Sequence, residues 1–535
     1  MGTAFTPKGY LNTGQRHDMR TNLNAILNYN TSFLKNFSVN AFVGANKERL
    51  SNLYTNLGGI DFVVPNFISY TNLATINPST ALRPYRSEIR SGTNSVFGSA
   101  DFNYKDILFL SVTGRQDWFS TLNRGNNSIF YPSIGTGIVM SDLMTMPASI
   151  NFLKLQGSWA QVGSSTVDPE SINRIYTFTT GGFNGVPVQT APNNLQNPDI
   201  RPLTVTISEG GFEIQLLRNR LSLDATYYSR VTTNDILQPA ISPTSGFLAG
   251  NQNVGKITNK GVELLLSATP VKSTDFSWNV SYNFAYNQSK IVELAPGITN
   301  LTIGTGISSA VSIVNAVGLP YGSVLGWRMR KDANGVSVYN KTSGYEDRYQ
   351  DYLGVANPPY TMGFTNNFKY KDFSLNVLFD AKFGAVAFNN MWVYAMRFGL
   401  TKSTLPGRET GVQLDGVDQT GAKFSRFWPV TDLDTYYNNR GANYSELATF
   451  STDFVKLRSF ILSYSLPVKK LKFFNIQSAS IGLVARNLAI LYRDQRVKDA
   501  GLDPEMQQTV ANATGTVGAG EPRTRTIGVN LNVKF

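Results

Sequence analysis

Residues 524–535 read TRTIGVNLNVKF, an unbroken alternation that puts Ile527, Val529, Leu531, Val533 and Phe535 on one face and Gly528, Asn530, Asn532 and Lys534 on the other. A half-buried strand of a soluble sheet usually leads into a turn. This one ends the sequence and has the ~9–11 residues that a tilted strand needs to cross a bilayer. The stretch therefore reads as the closing strand of an antiparallel outer-membrane β-barrel, against the alternative of an edge strand in a soluble sandwich. On the barrel reading the five apolar residues double as an assembly signal, because a barrel closes only when this edge finds a partner.

Composition points the same way. The 535 residues include no cysteine, so disulfides and thiolate metal sites are unavailable, and 12% aromatic against 16% charged residues suits a β-rich protein outside the cytoplasm. No run of ~18 apolar residues exists, which removes helical membrane spans; barrel strands evade that test because only alternate residues face lipid. The net charge of +12 is spread through strands and turns. Spread this way it suits a polar lumen and anionic headgroups rather than a nucleic-acid surface. The first twenty residues hold neither an apolar leader nor a cleavage site, so the chain is read as part of a longer exported protein.

The terminal alternation recurs upstream. In 276–287, Phe276, Trp278, Val280, Tyr282, Phe284 and Tyr286 face away from Ser277, Asn279, Ser281 and Asn283, an aromatic density that suits the interfacial girdle of a barrel. Similar segments at 23–29, 37–43, 221–227, 362–368 and 373–381 bring the number of predicted strands to roughly fifteen, the first at about 17–30. Connections give an independent check, since one rim of such a barrel carries short turns and the other long loops. Short links fall at 31–36, 105–106, 141–150, 218–220, 271–275, 371–372 and 467–475. Between them lie 50–85, 163–203, 232–257, 289–357, 389–452 and 491–523, with 119–128 the one short exception. With the C-terminus periplasmic, every short link lands on the periplasmic side.

Catalytic and metal motifs fail on inspection. The segment from Gly250 through Gly255 and Lys256 has phosphate-loop spacing, but Ile257 replaces the magnesium-binding hydroxyl and the segment opens a strand. His17 is the only histidine, so no histidine triad or multi-histidine site can be built; it reads as a strand-end residue. Glu346, Asp347 and Asp351, or Asp432 and Asp434, read as solvated loop faces rather than a glycosidase carboxylate pair. Neither enzymatic activity nor a cofactor is expected.

The succession FYPSIGTGIVMSD, LKLQGSWAQVGSS, NVGKITNKGVELLLSATPV, FSWNVSYNFAYNQSKIVEL, GLPYGSVLGW, NPPYTMGFTNNFKYKDFSLNVLFDAKFG, FVKLRSFILSYSLP and EPRTRTIGVNLNVKF resembles the SusC/RagA-like TonB-dependent outer-membrane transporters of Bacteroidota, in family order from about Arg86 to Phe535. The resemblance implies a 22-stranded barrel of which residues 1–535 are the C-terminal part, with the plug domain and TonB-binding segment outside this chain. It further implies active import of an oligosaccharide or peptide, a SusD-like surface lipoprotein as lid, and the TonB complex as energy source. Many relatives carry a calcium-like loop where this chain has Asp332, Asn334, Gly335, Val336 and Ser337. The second acidic residue and second glycine are missing, so no metal site is carried over and the tight turn is expected to be impaired.

Within 389–452, Trp392, Tyr394, Trp428, Tyr436 and Tyr437 stand among Arg and Asn residues. They suit stacking on a sugar, anchoring the lid, or packing at the rim, and the sequence leaves all three open. A passive or structural barrel, and a secreted glycan-binding protein or enzyme, remain the alternative functions.

Overall fold

The computed structural model describes residues 8–33, 36–75, 85–165, 167, 169, 171–178, 183–184, 186–239, 241–306, 310–467, 476–506, 515–518 and 523–534. Its principal sheet has 16 strands. Numbered here without the three-residue strand Leu73–Thr75, they are β1 (Tyr10–Phe33), β2 (Phe37–Phe62), β3 (Tyr85–Tyr104), β4 (Leu108–Phe119), β5 (Ser128–Val139), β6 (Ile150–Ser164), β7 (Leu203–Leu216), β8 (Leu221–Thr233), β9 (Lys256–Lys272), β10 (Phe276–Glu293), β11 (Tyr360–Tyr370), β12 (Phe373–Phe383), β13 (Phe454–Leu466), β14 (Ser478–Arg493) and β15 (Thr526–Lys534). The chain divides into two compact units, one of residues 1–138, 157–208 and 230–256, the other of 139–156, 209–229 and 257–535.

In the first unit β1 to β5 pair antiparallel in sequence order. β1 and β2 stay in register from Phe33 opposite Phe37 to Tyr10 opposite Ile60. Their 24 and 26 residues are more than twice the ~9–11 needed to span a membrane, so the hairpin projects well beyond an apolar band. Composition divides accordingly: the half of β1 near the turn carries exposed Leu23, Leu27 and Tyr29, while residues 12–22 are almost wholly polar. The first strand therefore extends past its predicted 17–30. His17 is not at a strand end but within this polar half, opposite Leu53.

In the second unit β10 to β15 pair antiparallel, and their registers show why the alternation is there. Phe276, Tyr370, Phe373, Tyr464, Ile481 and Leu531 lie opposite one another strand by strand. One step further from the turns, so do Trp278, Phe368, Leu375, Leu462, Leu483 and Val529. The rings of Trp278 and Phe368 stack at 5.6 Å, and those of Phe373 and Tyr464 meet at 4.7 Å. The intervening register is polar, with Ser277, Lys369, Ser374, Ser463, Gly482 and Asn530 in line. Within strands paired on both sides, Tyr370, Phe373, Ile481 and Leu483 of these rows are still 43–53% exposed, a state that calls for a lipid rather than an aqueous surround. Phe535 lies outside the described residues.

Short and long connections alternate as predicted. The links 34–36, 105–107, 140–149, 217–220, 273–275, 371–372 and 467–477 each join two paired strands closely. Tight turns need left-handed backbone, and Lys105, Asp106, Leu217, Arg218, Asn219 and Lys371 supply it. The long connections differ in extent from the sequence reading: β2 runs to Phe62 and β10 to Glu293, well inside segments read as loop.

Candidate functional site

The three longest connections of the second unit are not open loops. Residues 294–359 form a four-stranded sheet from Asn300–Thr305, Val311–Ala316, Ser323–Met329 and Arg348–Val355. Residues 384–453 contain helix α1 (Asn390–Arg397), the hairpin Val412–Asp418 with Lys423–Trp428, and helix α2 (Leu433–Asn443). Asn389 starts α1 by accepting a hydrogen bond from the Trp392 amide at 2.9 Å. Strand Val386–Asn389 then pairs with Thr449–Ser451 and, in parallel, with Thr516–Val517 of the last connection. Two cores result. One gathers Val311, Ile313, Val324, Phe388, Val393 and Ala448, the other Tyr339, Leu414, Phe424, Trp428, Leu433 and Tyr436.

This folding decides what the five aromatic candidates can do. Trp428, Tyr436 and Tyr437 are 4%, 2% and 9% exposed, so they are core residues and not free stacking platforms. Tyr436 lies 5.4 Å from Trp428 and 5.1 Å from Tyr437, and the Tyr437 hydroxyl donates to the Pro406 carbonyl at 2.8 Å. Trp392 is half-buried and packs edge-on against Phe450 at 5.2 Å. Tyr394 alone stays exposed, beside Phe398 at 6.3 Å. Short helical and strand patterns, such as QLDGVD and KFSRFW, carried this information but were hidden by the length of the polar stretch around them.

Glu346 is likewise not a solvated residue. Its side chain is 5% exposed, and Arg440 Nη1 donates to Glu346 Oε1 and to the Tyr436 hydroxyl, each at 2.5 Å. The Tyr444 hydroxyl donates to the Glu346 carbonyl at 2.6 Å. Burial pushes the Tyr436 phenol up to about 12 and raises Tyr444 as well, so both hydroxyls keep their protons, Tyr436 accepting from Arg440 and Tyr444 donating to Glu346. Burial is the largest single effect and opposes the Arg440 charge, but the Glu346 carboxylate and the contacts with Tyr436 and Tyr444 together leave the guanidinium raised. Asp347 and Asp351 pair with Arg330 at 2.6 Å and Arg328 at 2.8 Å, whereas Asp432 and Asp434 are exposed as expected. The turn at Asp332 is intact. Gly335 takes φ +81°, and Asp332 Oδ1 accepts from the amides of Asn334 and Val336 at 2.9 and 2.8 Å, which commits that oxygen to the turn itself. Among the described residues no cluster of three metal-ligating side chains is found.

The last connection, 494–525, is tied to the sheet by charge. The register of β13 shifts between Leu457 and Ser459, and this bulge re-aims Arg458. It bonds Asp380 and, at 2.9 Å, Glu505. Lys456, 4% exposed, reaches Asp503 and Glu505 at 2.6 Å each. Burial by itself would raise the Glu505 carboxyl, but hydrogen bonds from Arg458 and Lys456 hold it down at about 2. The sequence reading missed this cluster. Its visible trace was two cations two residues apart on one face of a strand.

An antiparallel sheet with exposed apolar rows, its strands joined by short turns at one end and folded connections at the other, is the architecture of an outer-membrane β-barrel; among the described residues no helix is long and apolar enough to cross a membrane. The family model described as TonB dependent receptor-like, beta-barrel matches residues 2–378, and the chain belongs to that family. TonB-dependent receptor P26 of Formosa agariphila is 24% identical over 98% of this chain and 55% of its own length. TonB-dependent receptor SusC of Bacteroides thetaiotaomicron is 24% identical over 56% of this chain and 31% of its own. Among solved structures, the RagAB peptide importer in its closed-closed state superposes with a TM-score of 0.77 at 18% identity, covering 98% of this chain and 56% of that one. The chain thus spans about half the length of the first of these relatives, and the likeness to RagAB concerns the fold.

Proposed function

We propose that this chain is the C-terminal barrel portion of a TonB-dependent importer that takes up oligosaccharides or peptides together with a SusD-like surface lipoprotein, its C-terminus periplasmic. One observation carries the reading: the two ends of the strands are built differently. One end of the second unit bears the tight turns 217–220, 273–275 and 371–372, while the other bears connections folded around two cores of their own. A passive pore has no need of such modules, whereas a device that captures a ligand at its mouth does. The similarity to SusC and to the RagAB peptide importer supports both the lipoprotein partner and a nutrient cargo. Import on this reading involves no covalent chemistry: ligand capture shifts a conformational equilibrium, and force applied through TonB from the periplasm releases the cargo.

The test is uptake and co-purification. Affinity-tagged protein drawn from native outer membranes should bring a surface lipoprotein with it. Deleting its gene, or that of TonB, should abolish growth on the nutrient that induces it. Growth that persists in both deletions, with no lipoprotein recovered, would leave a passive or structural barrel as the better reading.

A further inference from the structure

Between the end of α1 and the start of α2 lies an open cavity of about 530 Å³, lined by Arg397, Phe398, Arg408, Asp434, Tyr437 and Asn438 among others, within the range of small-ligand sites. Its two guanidinium groups are held by neutral acceptors. Arg397 Nε donates to Asn438 Oδ1 at 2.8 Å. Arg408 donates from Nε to the Thr404 carbonyl at 2.9 Å, and from Nη2 to the Thr404 hydroxyl at 2.8 Å and to the Gly399 carbonyl. Thr404 is itself buried, its hydroxyl bonded to the Thr401 carbonyl at 2.7 Å, so the Arg408 fork is fixed in direction.

Among the described residues neither arginine forms an ion pair. Asp434 lines the same cavity, but its Oδ1 accepts from the Thr435 amide and hydroxyl. Elsewhere in these connections Arg440 pairs with Glu346 and Arg330 with Asp347, whereas Arg348 and Arg426, like Arg397 and Arg408, donate to neutral acceptors. What sets Arg397 and Arg408 apart is that both line one cavity, where two guanidinium groups outnumber the single carboxylate of Asp434. Arg397 keeps both Nη groups, a pair that can meet a carboxylate bidentately, and Arg408 keeps Nη1 for a further charge-assisted bond. Beside them Phe398 is 72% exposed, an apolar face against which a ligand backbone or sugar ring can lie.

We propose that this cavity is a binding site for a carboxylate-bearing oligomer, Arg397 and Arg408 holding the carboxylate and Phe398 the adjoining apolar surface. The inference rests on the importer reading and narrows it to acidic cargo. Two sources present that chemistry, an acidic peptide and a uronic-acid oligosaccharide. They are separated by titrating the full-length protein in detergent, at low salt, with pentaglutamate and with tetragalacturonate, each against its uncharged counterpart, pentaglutamine and maltotetraose. At least one acidic probe should bind tenfold or more tightly than its neutral counterpart, and the probe that does so names the source.

The double substitution Arg397→Gln/Arg408→Gln should erase that preference while leaving hydrogen-exchange protection of 433–443 unchanged. Arg397→Lys/Arg408→Lys should keep part of it. The absence of any acidic preference in the unsubstituted protein overturns the proposal, which makes the test independent of whether a variant folds. So does a preference that survives the double substitution. Binding in detergent needs no energised transport; a protein that prefers the acidic probe yet supports no uptake would contradict the importer reading and leave this one standing.

Discussion

Glu346 shows how a residue's chemistry depends on a partner the chain brings from far away. In sequence it belongs to an acidic run; in the fold Arg440, 94 residues later, reaches it, and only the long-range topology of two connections makes that pairing. Truncating one member of a buried pair leaves the other charge uncompensated, at about 3–5 kcal/mol. Arg440→Met should therefore unfold the module around α2 locally, read as lost hydrogen-exchange protection across 433–447, and Glu346→Leu in the same chain should restore much of it. Unchanged protection in the single variant would show that the pair is dispensable. Glu505 makes a comparable statement in pH. Its folded carboxyl sits at about 2 against an ordinary 4.5, so its contribution, on the order of 3 kcal/mol, is fully present above pH ~4.5. It is lost as pH falls toward 2, where protonation releases Lys456 and Arg458. Exchange protection of 494–506 should decline across that window before β13 and β14 lose theirs. Simultaneous loss in all three segments would mean that the ionic cluster does not hold this connection separately.

At the scale of the element, the alternation in β15 was legible because the period of a strand is two and its registers carry that period through β10 to β14. The row containing Leu531 includes Phe276, Tyr370, Phe373 and Tyr464, an aromatic girdle at the turn end of the strands. Ile527 lies four residues further from that girdle, in line with Val280, Asn366, Val377, Phe460 and Ala485, and therefore at greater depth, in a row whose one polar member, Asn366, is buried and accepts from Trp278 Nε1. A lysine facing lipid costs about 0–1 kcal/mol near the interface and about 2–4 at the midplane. Ile527→Lys should thus lower the folded fraction in vesicles at intermediate urea far more than Leu531→Lys does. Equal effects would place both residues at one depth and undo the girdle assignment. The modules at the other end were much less legible. Strands such as Val311–Ala316 and Lys423–Trp428 have 6 residues each, too few for periodicity to separate them from loop. Trp428, Tyr436 and Tyr437 read as surface aromatics for that reason. What a sequence shows as a ring among polar neighbours, the fold uses as core.

For the whole molecule, the alternation of short and long connections, broken only at 119–128, is a global property that single strands do not determine, and it was readable because each hairpin reverses direction. It fixes relative sidedness: the link 273–275 and the hairpin tip between Asp418 and Lys423 belong to opposite ends of the strands of the second unit. On the proposed function, the end with the folded connections faces the cell exterior, where cargo arrives. Single cysteines at exposed Thr420 and exposed Asp275 test this directly. In intact cells a membrane-impermeant maleimide should label Thr420→Cys and spare Asp275→Cys, and permeabilising the outer membrane should expose the second without changing the first. The reverse pattern would turn the barrel over, put the folded connections in the periplasm, and remove the argument that they receive ligand from outside. It would leave the registers and the two cores untouched, because those depend on pairing and burial within the chain and not on the side from which the membrane is approached.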